Sequence, residues 1–464
     1  REKALKTPEE LFQEIKTVFQ GSGLKAMAVG GLELFRKEEL VHPEYHLPEV
    51  TSVISLAVSL PEGIINCREW ETALYRRLAY TGFRISQLLE RYGYSALSSS
   101  RIDSLQVARV LGLLAEKNQY LTVLTSARVK EGVARKKSVG KPISPELLRN
   151  FCRKSGADLV GFFSAARYEK FYQAFRKSEM VPGERPAVVD RAFLYCPYSP
   201  ELVTEKVALK TIKDWLPEGK SVIVLGLHFP HSTLNFCKTT PAETTGPFAF
   251  VQCETLLQLG DLAARVADRL LQAGYQAAVT FDLTGLASRV QNPRYLLPDM
   301  RANLWPAVLA GLAYPGWHGH PLSPRYGVRQ RFVAVVTDMV LPEPPLLSGS
   351  PCAECNHPCL KACPTQAIAS PRKTITIEGK EFLLPQVDEF ACDWARRYCL
   401  AGKEGPESVG LQVNVPLPVE RSARAIAAGL SSVNWGVQKR LLNIAEECLR
   451  VCPAHQKLAG KEPQ

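Results

Sequence analysis

Thirteen cysteines stand in this 464-residue chain, and eight of them fall after residue 350. Residues 352–364 read CAECNHPCLKACP, which places Cys352, Cys355, Cys359 and Cys363 where several thiolates can converge on one small inorganic core, with Pro364 after the last. A second run, Cys448-Leu449-Arg450-Val451-Cys452-Pro453, repeats the Cys-x3-Cys-Pro ending, and Cys392 and Cys399 are the only other cysteines in this stretch. An odd total bunched at one end is a poor disulfide framework, so thiols or metal ligands are the better assignment. Paired zinc sites would also take thiolates in fours, but zinc ribbons favour two separated Cys-x2-Cys knuckles and do not call for Cys-x3-Cys-Pro endings. The remaining five, Cys67, Cys152, Cys196, Cys237 and Cys253, are scattered in apolar settings and read as buried thiols.

The two runs resemble the motif of two-cluster bacterial ferredoxins, in which the fourth cysteine of one run ligates the other cluster. The familiar spacing has two residues between the second and third cysteines; here there are three, Asn356-His357-Pro358. The resemblance implies two 4Fe-4S clusters with crossed ligands: Cys352, Cys355, Cys359 and Cys452 on one, and Cys363, Cys392, Cys399 and Cys448 on the other. Two clusters in series conduct electrons. They must end at a second protein or at a cofactor held by the rest of the chain.

The stretch Ala310 to Leu341 reads AGLAYPGWHGHPLSPRYGVRQRFVAVVTDMVL. Glycines there would let the backbone approach a large planar group closely, and Ser323, Arg329 and Arg331 can donate to amides or phosphate. The same composition also suits an irregular surface loop of turn formers. The order Ala310-Gly311-Leu312, Gly316, His318-Gly319, Leu322-Ser323-Pro324, Tyr326-Gly327, Arg329, Arg331, Thr337-Asp338 looks like the corrinoid-binding core of reductive dehalogenases, and epoxyqueuosine reductases share a related core. In both families that core precedes a two-cluster ferredoxin domain, and the resemblance here runs from about Ser155 to the C-terminus. It implies a fold similar to flavin nitroreductases, a base-off cobalamin, and cobalt-centred reduction fed by the clusters. The implied cofactor contacts are Gly311, Gly316, Trp317, His318, Gly319, His320, Ser323, Gly327, Arg329 and Arg331, with the histidines touching the tail or bonding within the loop rather than ligating cobalt. The chain departs from the families at Ala313, Trp317 and His320-Pro321.

The proton donor departs further. Dehalogenases resemble one another in using a tyrosine near the start of the helix that ends in Gly-Tyr, yet no tyrosine lies between Tyr198 and Tyr275. Epoxyqueuosine reductases place an aspartate in that neighbourhood. In PFAFVQCETLL only Cys253 and Glu254 can carry a proton. Glu254 is the candidate general acid, against the alternative of a first-turn glutamate complementing the helix dipole.

These groups need a frame, and the sequence shows a doubled one. Leu47 to Asn66, LPEVTSVISLAVSLPEGIIN, aligns without gaps to Leu216 to Asn235, LPEGKSVIVLGLHFPHSTLN, with nine of twenty positions identical. Each copy predicts a buried strand ending near a proline and then a helix ending in Gly-Tyr, Glu71 to Tyr92 and Cys253 to Ala273. Each also has an upstream apolar segment around a glycine, Ala26 to Gly30 and Leu159 to Gly161. Lys136 to Ser144 (KKSVGKPIS) and Leu341 to Pro351 (LPEPPLLSGSP) read as linkers. The expected architecture is mixed α/β (α+β): a degenerate nitroreductase-like copy over 1–140 without a cofactor, a cofactor-binding copy over 145–345 that pairs with it, and a ferredoxin-like two-cluster domain over 346–464.

No apolar run approaches the length of a membrane span and no leader pattern opens the chain, so a cytoplasmic protein is expected. The excess of eleven positive charges reads as a solvated surface, and two oxidised clusters with their thiolates, at about −2 each, would lower it to about +7. A nucleic-acid partner is not expected. The leading expectation is an anaerobic, cobalamin-dependent iron–sulfur oxidoreductase fed by a low-potential ferredoxin- or flavodoxin-type donor and acting on a small molecule. Its rivals are an electron-transfer or corrinoid-reactivating protein without its own cobalamin, and a flavin-dependent reductase.

Overall fold

A computed structural model describes residues 6–59, 68–99, 101–115, 118–135, 142–181, 183–190, 200–230, 234, 247–286, 301–400, 413–414, 416–421, 428 and 447–455. The chain is mixed α/β and divides into two units, residues 1–142 with 272–274, and residues 143–271 with 275–464. The cysteine-bearing stretch falls within the second.

The first unit is built from α1 (Pro8–Gly21), β1 (Ala26–Gly31), β2 (Ser52–Ser59), α2 (Arg68–Arg91), β3 (Ala96–Ser99), α3 (Ser104–Val110), β4 (Asn118–Thr125) and β5 (Gly132–Arg135). Its sheet is antiparallel, in the order β3-β4-β2-β1-β5. The second unit opens with α4 (Pro145–Lys154), β6 (Leu159–Ser164), α5 (Ala165–Lys177) and the hairpin β7 (Glu184–Asp190) and β8 (Pro200–Lys206). It continues with β9 (Ser221–His228), α6 (Pro247–Gln272), β10 (Ala277–Thr280), α7 (Leu304–Leu309), β11 (Tyr314–Pro315), β12 (Pro321–Leu322) and β13 (Gln330–Thr337). Its antiparallel sheet runs β10-β13-β9-β6.

The second sheet repeats four of the first sheet's five strands, β3-β4-β2-β1, in order and in register. Ser52 lies opposite Thr125 and Ser221 opposite Thr337; Ala96 faces Thr125 and Ala277 faces Thr337. The buried hydroxyls repeat as well. Ser52 accepts from the Val129 N–H and Ser221 from the Leu341 N–H, both at 3.0 Å. Thr125 and Thr337 donate at 2.8 Å to the carbonyls of Ser95 and Gln276. Both long helices end at a left-handed glycine, Gly93 at φ +87° and Gly274 at φ +88°, with the next tyrosine N–H closing on a carbonyl five residues back. The duplication legible in the sequence is thus carried by the hydrogen bonds that a strand's polar residues must find when buried.

One expectation shifts. The helix predicted from Cys253 begins six residues earlier, at Pro247, because proline suits the first helical position and Phe248 to Val251 continue the helix. Glu254 therefore sits seven residues inside α6 and not in its first turn.

One face of the second sheet packs on α5, whose Tyr168, Phe171 and Phe175 are buried against Phe163 and Trp305 with ring centroids 5.1–6.3 Å apart. Such aromatic pairs add about 0.5–1.5 kcal/mol each beyond their buried area. The hairpin β15 (Thr374–Ile377) and β16 (Lys380–Leu383) completes this core with Ile375, Ile377 and Phe382. Around it lie α8 (Pro358–Ala362), β14 (Ile368–Ala369) paired with β17 (Gln386–Val387), α9 (Glu389–Tyr398), β18 (Cys399–Leu400) paired with β19 (Val413–Asn414), and α10 (Glu447–Arg450). Among the described residues no helix is long and apolar enough to cross a membrane.

Candidate functional site

The turn before α8 brings the first cysteine run together. Ser350 Oγ accepts the Cys352 N–H at 3.2 Å, and His357, held at φ +50°, caps α8 with Pro358 at its first position. Helices α8 and α10 pack against each other, which carries Cys452, just beyond α10, to Cys359 on α8. Cys352, Cys359, Cys448 and Cys452 are only 6–8% exposed and share one apolar cluster with Phe229, Leu322, Val328 and Ile368. Cys352, Cys355, Cys359 and Cys452 lie near enough to feel one another's charge. Burial, and then these neighbours, push the Cys359 thiol up to about 11 and the Cys452 thiol up to about 12, and raise Cys352 too. Thiols so raised hold their protons at neutral pH, so a metal binds by displacing them.

Cys363 packs against the same cluster and accepts the Ala367 N–H at 3.3 Å. Its neighbour Thr365 donates at 2.8 Å to the carbonyl of Ala391, beside Cys392 on α9. Cys399 belongs to β18, but its side chain lies outside the described residues, as do Cys67, Cys196, Cys237 and the side chain of Cys253. Among the described residues no cysteine forms a disulfide, and Cys152 is buried in α4 with its thiol pushed up to about 12. Among the described residues no three His, Cys, Asp or Glu side chains are arranged to hold a single metal ion. A cubane cluster takes its thiolates at four separate irons and asks for donors around a body, not a point. The all-thiolate donor set, its apolar shell and the N–H groups directed at sulfur fit such a cluster. Those donors are the His357 N–H to Cys355 and the Ala367 N–H to Cys363, each at 3.3 Å, and Trp317 packs against the same apolar cluster.

Trp317 belongs to the glycine-rich loop, and the duplication shows where that loop came from. In the first unit α3 ends at Gly112 (φ +66°) and β4 begins at Asn118, five residues intervening; in the second α7 ends at Gly311 (φ +68°) and β13 begins at Gln330, with eighteen. The loop is thus an insertion of thirteen residues (18 − 5) into a shared frame.

Its glycines are closely packed on the side where a Cβ would stand. A Cβ on Gly311 would meet the Pro345 carbonyl at 2.8 Å, one on Gly316 the His318 ring at 2.6 Å, and one on Gly319 the Arg301 side chain at 2.8 Å. At these three positions a Cβ is excluded by the protein's own atoms. Ser323 is likewise spent: it donates to Gln330 Oε1 at 2.8 Å and accepts the Tyr326 N–H at 2.9 Å, while its backbone bridges to Gly327. His318 and His320 are buried in the loop, the His320 N–H donating to His318 Nδ1 at 3.1 Å. Arg331 is buried in β13 on the opposite sheet face from Gln330, so it and Ser323 cannot serve one ligand from the same side. Arg329 differs. Its half-buried guanidinium is pushed down by burial, and Nε has no partner. Beside Gly319 a cavity of about 290 Å³ is lined by Arg301, Asn303, Trp305, Asp388, Glu389 and Arg421 among others, with Arg301 on Glu389 at 2.5 Å and Arg421 on Asp388. Its size is at the lower end for small-ligand sites and below that of a whole corrinoid.

Two features escaped the sequence. Asp158 and His228 are seventy residues apart, and only the β6–β9 pairing joins them: Asp158 Oδ2 accepts the His228 N–H at 2.9 Å and lies 2.8 Å from Nδ1. The ring stacks on Tyr326 of the inserted loop, centroids 4.4 Å apart and 8° from parallel. The corresponding pair in the first unit is Lys25 and Ser59, 3.2 Å apart, so the acid–imidazole pair occurs in the copy that has the loop. Arg167 on α5 is also buried. It donates to the carbonyls of Leu309 at 2.9 Å and Pro344 at 2.7 Å and pairs with Glu378 at 2.9 Å. Its signal was readable, an arginine four and eight residues before Phe171 and Phe175 on one helix face.

Burial alone would raise the carboxyls of Asp158 and Glu378, but hydrogen bonds from His228, and from Lys170 and Arg167, hold both below the usual range. A depressed carboxyl stabilises the fold above its unfolded value of about 4 and loses that contribution as pH falls. Thermal stability should therefore drop below about pH 4, and D158N and E378Q should each flatten that acid limb in melts recorded against pH.

No protein-family model and no curated protein matches the chain. Among solved structures, an epoxyqueuosine reductase with an epoxyqueuosine-modified tRNA-Tyr stem loop is similar at 14% identity and a TM-score of 0.36, over 67% of this chain and 65% of that one. An epoxyqueuosine reductase from Bacillus subtilis gives 14%, 0.35 and the same two coverages. A catabolic reductive dehalogenase in complex with 3-bromo-4-hydroxybenzoic acid gives 13% and 0.33, over 94% of this chain and 75% of that one. The chain thus spans less than two thirds of the epoxyqueuosine reductases' length. The expectation against nucleic acid does not fit the first of these proteins, whose structure contains a tRNA stem loop.

Proposed function

We propose that the chain is an iron–sulfur reductase in which two 4Fe-4S clusters pass electrons to a corrinoid lying against the loop between Gly311 and Gln330. The observation that carries this reading is the gathering of Cys352, Cys359 and Cys452 in one apolar cluster, with Cys355 near enough to feel their charge, that the inserted loop reaches through Trp317. Thiolates drawn from both ends of a hundred-residue segment make a site whose ligands only folding can assemble.

The corrinoid rests on the motif resemblance, and its fit is partial. Arg329 Nε keeps a donor to offer, and the cavity beside Gly319 takes a polar tail. Gly311, Gly316 and Ser323 are used within the protein. When bound, such a group supplies strongly nucleophilic reduced cobalt. The chain's own residues do the rest. Phe229, Leu322 and Val328 keep water from the thiols. Asp158 fixes the His228 tautomer so that Nε2 is the atom that exchanges a proton, and His228, in place of Glu254, supplies the proton a reduction consumes. The donor is a low-potential ferredoxin- or flavodoxin-type protein, and the substrate a small molecule.

The filled glycine faces favour a second reading, an electron-transfer protein that reduces a corrinoid on another protein. Metal analysis and the optical spectrum of anaerobically purified protein decide between them. The first reading expects about eight irons and one cobalt per chain with corrinoid bands. Iron without cobalt supports the second, flavin bands would replace both, and zinc without iron would discard them.

A further inference from the structure

The insertion and the cysteine run meet at one pair of side chains. The Trp317 indole lies on the His357 imidazole, ring centroids 3.4 Å apart at 33°. His357 is one of the three residues between Cys355 and Cys359, in the spacing that exceeds the familiar ferredoxin one. Its left-handed backbone (φ +50°) lets the longer spacer turn back and form the cap of α8, with its own N–H bonded to the Cys355 sulfur. Trp317 itself packs against the apolar cluster that includes Cys352, the other end of the same half-site. Trp317 Nε1 and His357 Nε2 are both buried and have no hydrogen-bond partner. A buried donor left unpaired costs about 1–3 kcal/mol, and here two stand side by side against the thiols.

We propose that the Trp317 indole N–H and the His357 imidazole, with its proton on Nε2, donate hydrogen bonds to the sulfur of the cluster held by Cys352, Cys355, Cys359 and Cys452, and that this pair sets that cluster's potential above its partner's. The proposal rests on the iron–sulfur reading above. Reduction adds an electron to an already negative cluster, so donors at its sulfur stabilise the reduced form more than the oxidised one. The cluster so tuned is the one that touches the inserted loop. It becomes the downhill stop for electrons arriving from the set that includes Cys363 and Cys392. The additional residue in the first run and the tryptophan in the loop then share one explanation, since each supplies one of the two donors.

The test is a potentiometric titration of the anaerobic, iron-loaded full chain followed by electron paramagnetic resonance, with iron content measured alongside. W317F keeps the ring and its stacking but removes the N–H. Its expected result is full iron and one cluster harder to reduce by about tenfold in its reduction equilibrium, 59 mV for one electron, with the other unmoved. H357N keeps a residue type tolerant of the left-handed backbone but shortens the side chain beyond reach, and the same cluster should move in the same direction. Should W317F lose iron, the H357N titration decides alone. Full iron with unmoved midpoints in both variants, or equal movement of both clusters, overturns the hydrogen bonds and leaves the clusters standing. A wild-type chain that takes up no iron on anaerobic reconstitution overturns the clusters and this proposal together.

Discussion

C359S should leave the chain with about half of its iron. Cys359 sits in the first turn of α8, 6% exposed, and its charge is coupled to Cys352 and Cys355, while Cys452 is coupled to all three. A cluster held by these four loses a corner when one is removed, whereas the set of Cys363, Cys392, Cys399 and Cys448 keeps its four thiols. The contrast lies in the companions. C392S should remove the other half, and C152S should remove none, since Cys152 is buried in α4 and is not among the thiols coupled to Cys359 or Cys452. Iron and acid-labile sulfide per chain, measured after anaerobic reconstitution, read all three directly. Complete iron loss in C359S would mean that the first set is needed to fold the second. An unchanged iron content would remove Cys359 from the ligands.

R167A should destabilise the second unit by about 3 kcal/mol in chemical denaturation, the low end of what breaking a buried ion pair costs. The low end applies because Glu378 and Glu343 stay 24% and 31% exposed and can be partly rehydrated, whereas the carbonyls of Leu309 and Pro344 lose their donor. One guanidinium joins α5, the end of α7, the proline-rich run and the β15–β16 hairpin, because its planar fork reaches several acceptors at once. R167K keeps the charge without the fork and should fall between wild type and R167A. Proteolysis within residues 341–351 should quicken in the same order, since that run loses its tie to α5. A wild-type stability in R167A would show that the pair only rebalances its own desolvation.

Much of this was legible because it is local or periodic. The strand alignment at Leu47 and Leu216 foretold two sheets with matching register, since strands so alike in pattern bury the same positions. The cysteine spacings raised the expectation of iron–sulfur ligation, because Cys-x3-Cys-Pro endings are not called for by zinc ribbons. The glycine-rich loop was read as backbone that a Cβ would obstruct. A glycine shows that a Cβ is excluded, not what excludes it, and at Gly311, Gly316 and Gly319 that is the protein's own chain. The helix start at Pro247 was missed because Phe248 to Val251 read equally well as strand or helix.

By itself the sequence determined the doubled frame and the thiol-rich character of its last third, since both are written in spacing. Tertiary structure alone decided that Asp158 meets His228, that Trp317 lies on His357, and that Arg167 ties four elements together. These pairs lie from 40 to more than 200 residues apart in the chain, where no periodicity reaches, and strand pairing or burial of an otherwise unpaired polar group brings them into contact.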